Sequence, residues 1–299
     1  FKHDVRDQLA QSFPERNIQK LHTTATKPED HACDLLMEAR FHTLDSKSGS
    51  GQGGSQLFRT TLEKALFSSP AACVSTIRNR LARLQKRVGD DRIKDDIDTL
   101  NGLLNAVAAI TPDQFSKYQR LVSLLNNLDG THFGWNPKQA DDRLVLFTES
   151  IQTLEFLQQH LPKDCGLKDT QVAVLRGDMR DSDLAATVDQ FNNQSSPIRL
   201  LICSDVASEG INLHHLSHRM VHFDIPWSLM VFQQRNGRID RYGQTRQPQI
   251  RYLLTDSEAV RAEKAALRRE HLRDLGDWPP YPIGNPATSH APEHPQLDM

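Results

Sequence analysis

Two hydrophobic periods divide the chain. Between residues 28 and 128, apolar side chains recur every three or four positions, the spacing of helices that bury one stripe. Residues 28–44 open with Pro28, suited to a first helical turn, and carry Leu35, Leu36, Ala39 and Phe41. Residues 56–88 form one or two helices around Ser68-Ser69-Pro70. Val74, Ile77, Leu81 and Leu84 lie on one face there, with Arg78, Arg80, Arg83, Lys86 and Arg87 opposite. The pattern continues at 91–109 through Ile93, Ile97, Leu100, Leu103, Leu104 and Val107, and Thr111-Pro112-Asp113 signals a further helix start. From residue 143 the period changes. Continuous apolar runs at 143–147, 172–175, 198–203, 220–223 and 250–254 alternate with helical patterns at 151–161, 181–191 and 228–241. Strands that are apolar throughout are buried on both faces, which predicts a parallel sheet covered by helices. Ligands on such sheets bind beyond the carboxyl ends of the strands. The polar turns at 148–150, 176–178, 204–210 and 224–227 all fall at that edge.

The remaining stretches are polar. Residues 1–27 are charged and mixed, broken by Phe13-Pro14-Glu15-Arg16. Residues 46–55, SKSGSGQGGS, read as a flexible linker. They are not a phosphate-binding loop, since no lysine follows Gly54 and no apolar strand precedes it. The tail, 258–299, starts as a charged helix and turns proline-rich after about Arg273.

A net charge of −2 over 299 residues confines any polyanion-binding surface to a local patch. The four cysteines are far apart in sequence, which excludes a C-x-x-C zinc or redox pair and points to a reducing, cytoplasmic setting. No run approaches the ~20 apolar residues of a membrane span, and no signal peptide is visible. His214, His215, His218 and His222 cluster in sequence, but H-E-x-x-H spacing is missing and no metal site is expected. The chain starts at Phe1 and not at Met, so it is expected to be part of something longer.

Arg235, Arg238 and Arg241 fall three apart, which predicts adjacent positions along one side of a helix. Most such clusters are solvated faces. This one follows a strand-end polar turn, which favours a phosphate-facing site.

These segments resemble, in order, the second RecA-like lobe of superfamily-2 helicases, nearest to SWI/SNF-type and RapA-like ATPases. Ser116-Lys117 with Leu121, Leu124 and Leu125 resembles the helix that introduces that lobe. Residues 143–148 resemble motif IV, and Leu175-Arg176-Gly177-Asp178 with Phe191-Asn192 resembles motif IVa. Residues 204–213, SDVASEGINL, resemble motif V, and 234–244, QRNGRIDRYGQ, resemble motif VI. The resemblance implies an α/β fold: a RecA-like parallel sheet with helices on both faces, preceded by an all-helical insertion. It divides the chain into a segment leaving a first motor lobe (1–27), the insertion (28–114), the second lobe (115–257) and the tail.

By the same resemblance, Arg238 and Arg241 are arginine fingers that stabilise charge on a transferring phosphoryl group. Asp205, Glu209, Gly210, Gln234 and Arg235 contact nucleotide, and Thr148, Arg176, Gly177, Ser204 and Trp227 face nucleic acid. Each has a plainer use. Asp205 and Glu209 suit strand-end or helix-cap carboxylates, Thr148 and Ser204 suit helix caps, and Trp227 suits a packed core. The implied cofactors are ATP and Mg²⁺, held mainly by a first RecA-like lobe in the same longer chain or another subunit. The implied partner is DNA, with RNA an alternative, and no membrane. The sequence has no G-K-[ST] and no D-E-x-x run, so the chain alone is expected to be inactive. The other class of reading is a non-catalytic scaffold that retains the lobe fold.

Overall fold

The computed structural model describes residues 14–42, 53–87, 91–205, 210–226 and 228–256, with side chains from residue 57 in the second stretch. Most of the linker, the tail, Glu209 and Trp227 lie outside the described residues.

Among the described residues, six parallel strands form one sheet: β1 (Asn17–Thr24), β2 (Arg143–Thr148), β3 (Val172–Leu175), β4 (Leu200–Ser204), β5 (Ser217–His222) and β6 (Gln249–Asp256). Their order is β1-β6-β5-β2-β4-β3. The helices are α1 (Lys27–Glu38), α2 (Gly53–Ser68), α3 (Pro70–Leu84), α4 (Asp91–Ala108), α5 (Ser116–Leu125), α6 (Ile151–Asp164), α7 (Asp181–Asn192) and α8 (Leu229–Asn236). β2, β4 and β5 are buried at every position, and the apolar runs of β2 and β4 follow from that, whereas β5 buries Ser217, His218, Arg219 and His222 around Met220 and Val221. Leu144, Leu146, Leu200, Ile202 and Val221 face one core, shared with Leu36, Ile77, Leu100, Tyr118 and Leu157. Val145, Phe147, Leu201, Cys203 and Met220 face the other, with Phe191, Phe232 and Ile239. Helices therefore cover both faces, as expected. α1–α4 share a core with the sheet. Among the described residues no helix is long and apolar enough to cross a membrane.

Two features depart from the sequence reading. β1 falls in the stretch read as merely charged and mixed. Only Leu21 of its eight residues is buried, because an edge strand needs few apolar side chains. Its order comes from an eight-residue parallel register with β6. The second departure is the length of α8, which ends at Asn236 and not at 241. Gly237 follows, and tighter i→i+3 bonds take over: Arg238 N to the Arg235 carbonyl (3.0 Å) and Ile239 N to the Asn236 carbonyl (3.3 Å). Arg235, Arg238 and Arg241 consequently do not share one side of a helix.

Arg143 shows how the amino edge of the sheet is held. It is fully buried. Its guanidinium donates to the carbonyls of Ala140 (3.1 Å), Gln190 (3.0 Å), Phe191, Asn193 (2.6 Å) and Ser196 (3.2 Å). Several of these are the orphan carbonyls at the end of α7, where the helix dipole favours a cation. Burial, with Arg199 nearby, lowers its pKa to about 10, so it stays charged at neutral pH. Arg143→Met should cost ~2–4 kcal/mol in a urea melt, since it strands several buried acceptors. A loss under ~1 kcal/mol would show that water replaces the guanidinium.

Candidate functional site

The parallel register brings the strand ends together at one edge. Thr148 closes β2 opposite Ser204, which closes β4. Asp205 follows β4, and Asp224 lies two residues beyond β5. Ser150 caps α6, accepting from Thr153 N at 3.3 Å, so the chain leaves β2 through a fixed turn.

Asp224 is the hub of this edge. Its carboxylate is nearly excluded from solvent and accepts from Thr148 Oγ1 (2.5 Å), Ser68 Oγ (2.8 Å), Lys117 Nζ (2.9 Å) and Glu149 N (3.3 Å). Lys117 comes from α5 and is equally buried. It also donates to the Phe67 carbonyl and lies 4.5 Å from the Phe223 ring centroid. Burial alone would raise the carboxyl pKa of Asp224. The Lys117 ammonium and the Thr148 and Ser68 hydroxyls outweigh that and hold it below the usual carboxylate range. Ser68 and Ser69 also share 2.7 Å hydrogen bonds with Thr153 on α6. The α2–α3 corner is thereby tied to the carboxyl edge.

Arg235 joins the hub to the turn after β4. It is fully buried, its guanidinium carbon 5.4 Å from the Phe147 ring centroid. Nε donates to Asp205 at 2.5 Å and Nη1 to the Asp224 carbonyl at 2.8 Å. Among the described residues, Nη2 has no hydrogen-bond partner, and neither does the buried Ser204 hydroxyl. Asp205 and Arg235, expected at the nucleotide, thus form an internal clamp between the turn and α8. Beyond it, Arg238 donates to the Ile211 carbonyl at 3.2 Å, and its own carbonyl accepts from Leu213 N at 3.2 Å. Arg241 is exposed and donates to the side chain of Asn212. Both arginines converge on the segment just after Gly210, whose φ of +75° is a backbone conformation that suits glycine.

The structure therefore gathers Asp205, Gly210, Arg235, Arg238 and Arg241 around the end of β4, with Gln234 exposed on α8. It buries Thr148, whose hydroxyl is turned inward onto Asp224, and Ser204. Arg176 and Gly177 sit apart, beyond the outer strand β3. Arg176 is held by Asp178 (3.1 and 3.0 Å) and Glu155 (2.9 Å). Sequence reasoning misses this pair: Lys117 enters only with the helix at 116–125, and Asp224 only within the polar turn 224–227. The signal available for them was an acid directly after a buried strand and a lysine inside a strongly apolar helix.

Two buried histidines, His222 beside the site and His218 at the opposite end of β5, are neutral in the folded protein. Burial, then the positive charge of Arg235, lowers His222 to about 3. Burial, then Arg219 and Arg246, lowers His218 to about 3. An unfolded chain protonates histidine near ~6.5. Below that pH the unfolded state binds more protons, so stability falls by up to ~1.4 kcal/mol per pH unit for each histidine. The urea midpoint should drop between pH 7 and 5, and His222→Gln should flatten that dependence. A midpoint indifferent to pH in this range contradicts the assignment.

Comparison with known proteins fits this arrangement. Residues 116–243 match the model of the helicase conserved C-terminal domain. The uncharacterized ATP-dependent helicase YqhH of Bacillus subtilis (strain 168) is 30% identical over 195 residues, 65% of this chain and 30% of that protein. The RNA polymerase-associated protein RapA of Vibrio campbellii is 32% identical over 127 residues, 42% of this chain and 13% of that protein. The chain thus spans less than a third of these curated relatives. The Sulfolobus solfataricus SWI2/SNF2 ATPase core in complex with dsDNA has the same fold, with a TM-score of 0.56 at 18% identity over 90% of this chain and 47% of that one. The isolated C-terminal domain of that ATPase gives a TM-score of 0.51 at 13% identity, covering 86% of this chain and 85% of that one. With a parallel RecA-like sheet, motif-bearing turns at its carboxyl edge and the family match across them, residues 116–243 of this chain form a helicase conserved C-terminal domain.

Proposed function

We propose that this lobe works as the C-terminal half of an ATP-dependent DNA translocase of SWI/SNF type. Arg238 and Arg241 act as arginine fingers on a nucleotide and Mg²⁺ held by a first RecA-like lobe, and the carboxyl edge follows a nucleic-acid backbone without reading sequence. The observation that carries this is the division of labour among the three arginines. Arg235 is locked inside by Asp205, while Arg241 reaches solvent from the turn that the clamp fixes, with the neutral Asn212 as its hydrogen-bond partner. Hydrolysis spreads negative charge over the phosphoryl oxygens, and a preorganised guanidinium stabilises it.

A scaffold that only kept the fold has no use for an exposed arginine on so rigid a mount. RNA as the track remains a second reading. It is favoured by 27% identity over 136 residues to the DEAD-box ATP-dependent RNA helicase CshB of Bacillus subtilis. The test is ATP turnover. The 299-residue chain alone should release no phosphate above background, whereas the protein that joins it to a P-loop lobe should hydrolyse ATP faster when DNA is added. Robust turnover by the chain alone, or none by the two-lobe protein, ends the proposal.

A further inference from the structure

We infer that the exposed face of α3 and of the 3-10 turn that continues it, Gln85–Arg87, is a second nucleic-acid contact surface, engaging the phosphate backbone away from the strand-end site. The inference deepens the reading above by naming where else the polyanion lies. Residues 70–87 hold five cations and no carboxylate, in a chain with 38 acidic and 36 basic residues. One of the five, Arg80, turns inward and stacks 4.8 Å from the Phe58 ring centroid. Arg78, Arg83, Lys86 and Arg87 are exposed, and no carboxylate lies within ion-pair distance of any of them among the described residues. The next acid in sequence among the described residues is taken elsewhere: on α4, Asp91 pairs with Lys94 at 2.9 Å.

Such an arrangement is unfavourable by itself. Like charges three and four residues apart on a helix repel, as Arg83 does with Lys86 and Arg87. A row of phosphates removes that repulsion and accepts arginine in bidentate geometry. The reach also fits. At ~1.5 Å of rise per residue, positions 78 to 87 span ~14 Å. That covers about four phosphates of one strand at ~3.4 Å each along a duplex axis. The helix is well placed too. Ser68 and Ser69, at its head, bond Asp224 and Thr153, so α3 starts at the carboxyl edge. A backbone lying along that edge continues onto α3.

The test needs only binding. A fluorescently labelled duplex of about 20 base pairs is titrated with the 299-residue protein by anisotropy at several salt concentrations. Arg78→Gln, Arg83→Gln and Arg87→Gln are combined in one variant. A control combines Lys138→Gln, Lys163→Gln and Lys168→Gln, exposed lysines elsewhere that remove the same charge. The α3 variant should bind at least ~10-fold more weakly, with a log K against log salt slope shallower by about two to three, at ~0.9 per lost phosphate contact. The control should change less than about two-fold. An unchanged thermal midpoint certifies that both variants are folded, as expected for exposed side chains. Equal losses in the two variants, no loss in the α3 variant, or no duplex binding by the unaltered chain at low salt each overturn the inference. A labelled polyglutamate peptide that alone depends on the α3 arginines would point to an acidic protein partner instead and also overturn it. None of these results bears on the fingers, which are read by hydrolysis and not by binding.

Discussion

Replacing Arg241 with alanine in the two-lobe protein is expected to slow ATP hydrolysis by ~10³-fold or more, the usual worth of an arginine finger. Nucleotide affinity should stay within a few-fold, because the guanidinium acts on charge that develops only in the transition state. Arg241→Lys should recover little, since a point charge does not reproduce a planar fork. The expectation is specific to geometry. Arg235 has the same chemistry but sits inside the protein on Asp205, so Arg235→Ala should lower stability as well as turnover. Arg241→Ala should leave the urea midpoint within ~0.5 kcal/mol, as for an exposed surface position. Steady-state kcat and a nucleotide Kd on the same preparation separate these outcomes. If turnover survives Arg241→Ala, the finger assignment is lost.

Lys117→Met is expected to destabilise the fold by ~3–5 kcal/mol, because it leaves the Asp224 carboxylate buried without its counter-charge. Asp224→Leu alone should be similarly damaging, as it leaves the buried Lys117 ammonium without its carboxylate partner. The double variant should be milder than the sum of the two, since both charges then vanish together. The carboxyl of Asp224 titrates below its unfolded value, so its contribution is present above ~4 and fades as pH falls through the folded pKa. Urea melts of the two single variants and the double variant at pH 7 decide the matter. Additive losses would mean that the pair is not coupled. The hub then would not be what links the α2–α3 corner to the arginine clamp.

What could be read from the sequence follows from where each element is buried. β2 and β4 are covered on both sides, so their apolar runs announced a parallel sheet and the edge at which its turns collect. β1 was invisible because its partner β6 supplies its order, and Asn17 and Arg251 lie 234 positions apart. The arginine spacing suggests a phosphate-facing role but does not give the geometry. Nothing in a repeat of three says that the helix stops at Asn236, or that the first arginine points inward and the last outward. The Lys117–Asp224 pair spans 107 positions, and a buried ion pair at that separation leaves no local pattern. Glu209 and Trp227, both legible only through resemblance, lie outside the described residues.

The pairing of β1 with β6 also sets an order of assembly. α1–α4 can form from local contacts as the chain is made, and β2–β4 can pair within some sixty residues. β1, synthesised first, must wait for the last strand before it has a neighbour. Until then β5 presents a bare row of amides and carbonyls, the kind of edge that recruits foreign strands. A ribosome stalled before residue 249 would expose that edge, and recombinant versions trimmed at either end of the β1–β6 pair should aggregate before they lose helix content.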